Sequence, residues 1–305
     1  MVLPVQWYPL PGGGRIAYRS SRIREGRPTI LLLHGLGDSS LAWEWLLHLS
    51  TLDHYTLIAP DLAGFGETGQ WAGSSFGFAD QVRLLGELLN GLEVEELILV
   101  GHSMSGVIGG WLAAVLLQQT GKQPTEELYA WTGFTMHDLL PQSLSIRLQL
   151  CGFVNVEGTL AQEDASISHR AVQAAGKGRY DRWYRSFLDL STSLAFLVEN
   201  PGAEHYHQSV VKALPEAFLA SARDLDSWKV ASGAGRGTQS SHLINSLDLP
   251  CNYLYGSESV LPGSIELLTS DSIEVNAVKG AGHWLMNQRR AEFEALLLRA
   301  LERFV

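Results

Sequence analysis

The chain has 305 residues, of which 46% are hydrophobic and 18% charged, enough apolar material for a core and too little charge for a disordered polymer. Its 22 Lys and Arg against 32 Asp and Glu give a formal charge of −10, which repels phosphate backbones and anionic lipid and argues against nucleic-acid or membrane partners. That length admits one large domain or two. Cys151 and Cys251 each open an apolar run and read as buried, reduced thiols, so a disulfide-stapled scaffold is excluded. The first residues lack a basic stretch, an apolar core and a small-residue cleavage site, and no apolar run reaches the ~20 residues that span a bilayer. A cytoplasmic protein is expected, and the composition leaves its oligomeric state undetermined.

In chain order, Gln6–Tyr8 and Arg15–Arg19 bracket Pro-Gly-Gly-Gly and predict an opening hairpin. Thr29–Leu33 is an unbroken apolar run ending in His34-Gly35, the pattern of a strand buried on both faces. A helix over Trp43–Leu49, capped by Ser39 or Ser40, is expected next, then a strand at Tyr55–Ala59 stopped by Pro60-Asp61. Ala79–Leu92 carries a helical stripe of Val82, Leu85, Leu88 and Leu89. Leu97–Val100 predicts a strand, and Val107–Gln119 predicts a buried helix. Cys151–Val156, Asn252–Tyr255 and Ile273–Val278 read as later strands, and Arg290–Phe304 as an amphipathic closing helix. Strands alternating with helices imply an α/β fold with a mostly parallel sheet flanked by helices. Residues 158–245 hold several helical patterns and few strand-like runs, so they predict a helical insertion between the sixth and seventh strands. The organisation expected is therefore one core of residues 1–157 and 246–305, interrupted by that segment.

The chemistry concentrates at Gly101-His102-Ser103-Met104-Ser105-Gly106, directly after a strand and directly before a helix. Such a turn forces the central Ser into a strained conformation and lifts its hydroxyl above the sheet edge, at the positive end of the following helix. The usual G-x-S-x-G has a second Gly where this chain has Ser105, a residue still small enough for the turn. A nucleophilic Ser needs a base. His283, in the glycine loop Gly280-Ala281-Gly282-His283-Trp284, is the candidate. Most of the ten histidines read as surface or core residues, including His205 and His207, for which no further metal ligands are found. Backbone N–H groups of Met104 and Leu36 are the expected oxyanion donors, with Leu36 in His34-Gly35-Leu36-Gly37 after the third strand. Their neighbours Gly35, His102 and Trp284 are expected to border the substrate, although His102, beside a tight turn, also reads as structural.

These motifs, with Asp61-Leu62-Ala63-Gly64-Phe65-Gly66 and in this order, resemble those of the α/β-hydrolase fold superfamily along essentially the whole chain. The resemblance implies Ser103 as nucleophile, His283 as base and a carboxylate between them in sequence. In most members that acid is an Asp three residues after the glycine ending the seventh strand, which here is Ser259 in Gly256-Ser257-Glu258-Ser259. Other members carry it at the end of the sixth strand, where this chain has Glu157 after Cys151–Val156. Glu157 is the preferred acid. Glu258 is a rival, and so is Asp138 if Leu128–Thr132 were the sixth strand; Pro124 and Pro141 make residues 124–150 read rather as a helical excursion.

The expected activity is hydrolysis of a small to medium carboxylic ester through an acyl-enzyme, with no metal and no organic cofactor. Activity should rise as the imidazole loses its proton. The same machinery serves thioesters, lactones, amides and C–C bonds beside a carbonyl, and a ligand-sensing protein with weak turnover is the alternative from another class. Segment 158–245 resembles the superfamily's lid, and its aromatic and aliphatic residues suggest an apolar pocket for a small-molecule substrate.

Overall fold

The computed structural model describes residues 2–23, 26–71, 73–119, 139–141, 148–227, 238–260 and 262–304. Among these residues eight strands form one sheet: β1 (Gln6–Pro9), β2 (Arg15–Ser20), β3 (Thr29–Leu33), β4 (Thr56–Pro60), β5 (Glu96–His102), β6 (Gln149–Val156), β7 (Cys251–Gly256) and β8 (Ile273–Val278). Their order is β1-β2-β4-β3-β5-β6-β7-β8. Only β2 runs against the others, pairing antiparallel with β1 and β4, whereas every later pair is parallel.

The continuous apolar runs are explained by the two layers that cover this sheet. Successive side chains on a strand point to opposite faces. Thus Leu31, Leu33, Leu97 and Leu99 pack on one face beneath α1 (Phe78–Gly91) and α2 (Met104–Gln119). Ile30, Leu32, Ile98 and Val100 pack on the other, where α11 (Arg290–Phe304) contributes Phe293, Leu297, Ala300 and Leu301. Helix α2 is apolar almost all round because it lies inside the molecule, which is why its stripe is hard to see in the sequence.

Between β6 and β7 come helices α3 (Ser166–Gly176), α4 (Tyr180–Ser191), α5 (Leu194–Glu199), α6 (Glu204–Val210), α7 (Pro215–Ser227) and α8 (Gln239–Ser246). The short helices α9 (Pro262–Ile265) and α10 (Leu285–Gln288) flank β8. The first part of the insertion has its own small core of Ala171, Tyr184, Phe218 and Ala222. It is tied to the sheet layer by the Leu214 amide donating to Gly64 O (2.8 Å) and by Asp224, whose carboxylate accepts the Phe78 amide at the start of α1 (2.6 Å). Gly77, the residue before α1, has no side chain to cap it, so α7 supplies the cap from outside.

Two expectations need correction. The helix expected over Trp43–Leu49 is a series of 3-10 turns at Ser40–Trp43, Leu46–His48 and Ser50–Leu52. Trp43, Leu46 and Leu47 are spaced as for a helix, but Leu49 is extended (φ −76°, ψ 121°) and breaks the run. Ser39 does cap the first turn, accepting the Leu41 amide. Both cysteines are free thiols, but only Cys251 is buried; Cys151, nearer the start of β6, is half-buried. Leu128–Thr132 and Asp138 lie outside the described residues. Among the described residues no helix is long and apolar enough to cross a membrane.

Candidate active site

Strand β5 ends at His102 and α2 begins at Met104, leaving Ser103 alone in the turn with φ +54°. That left-handed conformation is costly for a residue with a side chain, and it persists only where the surroundings enforce it. Here the Ser103 amide donates to Val156 O (2.8 Å) and Ser103 O accepts the Gly106 amide (2.9 Å). A Cβ at Gly101 would lie 2.2 Å from Ser105 O, so the incoming strand must carry glycine at that position. Ser105, in place of the usual second glycine, donates its hydroxyl to His34 O. This substitution therefore adds a tie between the turn and the end of β3.

His283 stands on the loop after β8, and its Nδ1 lies 2.6 Å from Glu157 Oε2. Glu157 follows β6 directly, with φ +50°, a second strained residue at the same sheet edge. Its other oxygen, Oε1, accepts the Gly256 amide (2.6 Å) and the Ser259 hydroxyl. With both oxygens bonded and the residue buried, the carboxylate is aimed at His283. Ser259 holds the place where the resemblance implies an Asp, and in the structure its hydroxyl meets Glu157. Glu258 is exposed, and its backbone amide donates to Ala281 O. The carboxylate that faces His283 is that of Glu157.

His102 is buried, and its Nε2 lies 2.9 Å from His283 O. A carbonyl only accepts, so Nε2 carries the proton. Burial, with the neighbouring His283 adding to it, lowers the His102 pKa to about 3, and the ring is neutral. His102 thus braces the loop that carries His283, while its ring also lines the cavity beside Ser103.

On the opposite side of Ser103 lies the loop after β3. His34 is wholly buried and neutral, its pKa lowered by desolvation against the pull of Asp38 and Asp61. The Leu62 amide donates to His34 Nε2 (3.0 Å), which fixes the proton on Nδ1 and directs it to Gly35 O (2.8 Å). Gly35 O also accepts the Asp38 amide (3.1 Å). Two donors on this carbonyl polarise the Gly35–Leu36 peptide and strengthen the Leu36 N–H as a donor. The Met104 N–H, first in α2, has no acceptor within its own helix.

Ser103, His283, Glu157, Gly35, Leu36, His102 and Trp284 all line one cavity of about 400 Å³. Phe187, Phe196, Tyr206 and Leu225 of the inserted helices form its apolar walls. The Phe196 ring packs against Tyr206 and Trp284, with centroids 5.9 and 5.7 Å away. Met104, the residue after Ser103, is buried and is not among the residues that line the cavity. Among the described residues no group of His, Cys, Asp and Glu is arranged to hold a metal ion. The sequence shows Ser259 without its partner Glu157, reads His205 only as a surface or core residue, and gives no sign of Asp38 or Tyr206. Each of these partners comes from a distant part of the chain, and no short motif marks them.

A family model described as alpha/beta hydrolase fold matches residues 28–120. Over 85 residues the chain is 36% identical to 2-hydroxy-6-oxo-2,4-heptadienoate hydrolase of Pseudomonas putida, covering 27% of this chain and 30% of that protein. It is likewise 36% identical over 88 residues to an uncharacterised protein of Mycobacterium tuberculosis, covering 29% and 25%. The chain thus spans less than a third of the length of either relative. Solved structures match over nearly the whole length. A hydrolase from Pseudomonas aeruginosa superposes with a TM-score of 0.69 at 16% identity, covering 97% of this chain and 98% of that one. An N-acyl homoserine lactonase gives 0.67 at 17% identity, covering 99% and 98%. A thermophilic esterase from Thermogutta terrifontis gives 0.64 at 18% identity, with both chains covered completely.

Proposed function

The chain has the α/β-hydrolase fold, and from that premise we propose that it is a serine hydrolase of small to medium carboxylic esters. The observation that carries this reading is the strained Ser103 turn in one cavity with His283, whose Nδ1 is held on a doubly anchored Glu157 carboxylate. Three groups with these roles are what acyl transfer through a covalent intermediate requires.

In this mechanism Ser103 Oγ attacks the ester carbonyl while His283 Nε2 takes its proton. Glu157 keeps the Nδ1–H oriented and stabilises the imidazolium that forms. The charge developing on the carbonyl oxygen is received by the Leu36 and Met104 N–H groups. Collapse breaks the bond to the alcohol, which leaves with the His283 proton. Water then attacks the acyl-Ser103 with His283 again as base, releasing the acid and restoring the hydroxyl. Residues 158–245 serve as a lid over the core of residues 1–157 and 246–305. Phe187, Phe196 and Leu225 give that lid an apolar inner surface suited to an acyl or alkyl group.

One relative and the three structural neighbours are named as hydrolases, an esterase and a lactonase, which supports hydrolysis and leaves the ester class to the pocket. A series of p-nitrophenyl esters from acetate to dodecanoate, with Ser103→Ala as control, tests the reading. Turnover of short and medium chains that vanishes in the control is expected. Ser103-independent turnover, or none with any ester, would overturn it.

A further inference from the structure

We propose that helix α6 of the inserted segment sets the position of the oxyanion loop, with His205, Tyr206 and Ser209 as positioning residues for the Leu36 amide. The proposal rests on the serine-hydrolase reading, because that amide matters to rate only if it receives an oxyanion.

Positions 205, 206 and 209 fall on one face of a helix. Each meets a different residue of the loop that follows β3. The Tyr206 hydroxyl donates to Leu36 O (3.0 Å). His205 Nε2 lies 2.8 Å from Asp38 Oδ2. Ser209 Oγ lies 2.7 Å from Ser39 Oγ and donates to His205 O (3.1 Å). A hydroxyl has one proton, so Ser39 is the donor between the two serines. The contacts therefore grip residues 36, 38 and 39 from above, while His34 holds Gly35 from below.

Two details show that the grip is close. Gly37 has φ +75°, and a Cβ there would stand 2.6 Å from the Tyr206 hydroxyl, so the loop passes beneath the ring with no side chain between. Asp38 is 1% exposed. Burial alone would raise its pKa, but its interaction with His205, including their hydrogen bond, and the Ser39 amide outweigh that and hold it below the usual carboxylate range. The Ser39 amide still donates to Asp38 Oδ1 (2.8 Å), but without His205 the buried Oδ2 loses its donor, which favours displacement of the loop.

The consequence is kinetic. An oxyanion donor is worth about 10²–10³ in rate, and a misplacement of about 1 Å can cost about 10². Loosening one tie should therefore lower kcat roughly tenfold and leave ground-state binding nearly unchanged. The test compares Tyr206→Phe, His205→Ala, His205→Gln and Ser209→Ala with the wild type on p-nitrophenyl butyrate. An aliphatic trifluoromethyl ketone, whose hemiketal adduct with a serine bears an oxyanion, serves as a second probe. Tyr206→Phe and His205→Ala should lose about tenfold in kcat and a similar factor in trifluoromethyl ketone affinity, with KM within about twofold. His205→Gln keeps a donor where Nε2 stands and should recover most of the loss.

Wild-type kcat and ketone affinity in folded Tyr206→Phe would overturn the proposal, as would equal loss in His205→Gln and His205→Ala. A rise in KM with kcat unchanged would overturn it too, because that marks ordinary wall packing. If His205→Ala fails to fold, Tyr206→Phe decides, since it removes one oxygen atom. Failure of the underlying reading looks different: the wild type itself would neither turn over the ester nor react at Ser103.

Discussion

Replacing Glu157 with glutamine changes almost no volume, yet the hydrogen bonds around it dictate what the new amide must do. The Gly256 N–H can only donate, and it points at Oε1 from 2.6 Å. The glutamine oxygen must therefore take the Oε1 place, next to Ser259 as well, and its NH2 group must face His283 Nδ1. That NH2 can only donate, so Nδ1 must lose its proton and Nε2 must hold it. An Nε2–H cannot accept the proton of Ser103. The flipped amide sets two donors against each other at Gly256 and leaves a buried N–H unsatisfied, at a cost of about 1–3 kcal/mol. A triad held in the wrong tautomer loses about 10⁴ in kcat, close to 5 kcal/mol at 1.36 kcal/mol per decade. Initial rates on p-nitrophenyl butyrate measure this, with a melting curve to show that the variant folds. Glu157→Gln within about tenfold of the wild type would refute the reasoning, and so would a comparable loss in Glu258→Gln.

Ser259→Ala removes one of the two donors to Glu157 Oε1, a bond to a charged group worth about 1.5–3 kcal/mol, and should lower kcat about tenfold; unchanged kinetics would show that the Gly256 amide alone suffices to anchor Oε1. Stability should fall on acidification. His102 is held neutral down to about pH 3 and His34 is shifted in the same direction, whereas both rings bind protons below about pH 6.5 once unfolded. The unfolded state then carries more protons, so stability rises with pH through that window. His102 alone contributes up to about 1.4 kcal/mol per pH unit, or about 2 kcal/mol between pH 6.5 and 5. Urea unfolding at several pH values checks this; a flat profile, or one unchanged in His102→Gln, would contradict it. Phe196→Ala opens the apolar wall and should raise kcat/KM for p-nitrophenyl octanoate relative to acetate several-fold, and an unaltered chain-length profile would remove Phe196 from the pocket.

What the sequence made legible was whatever local pattern encodes. Thr29–Leu33 reads as a strand because it is buried on both faces, and Ser103 stands out because a strand, a turn and a helix meet there. Glu157 was readable as a carboxylate at a strand end. Its anchor on Ser259 was not, since that contact joins positions 102 residues apart. The pairs Asp38–His205 and Leu36–Tyr206 are each bridged across more than 160 residues. His205 lies two positions before His207 in a stretch that shows nothing of the loop it meets. Trp43–Leu49 was misread for a related reason. Its apolar spacing fits a helix, but packing against Phe293 and the sheet is met equally well by 3-10 turns.

The most direct test of the central claim is labelling by a fluorophosphonate, followed by mass spectrometry of the modified peptide. The account predicts stoichiometric modification of Ser103 in the folded wild type, loss of ester turnover in step with it, and no reaction in Ser103→Ala. Labelling of Ser103 with negligible turnover would favour a ligand-sensing protein. A folded protein that is not modified, or is modified at another residue while turnover is lost, would contradict the assignment of Ser103 as nucleophile.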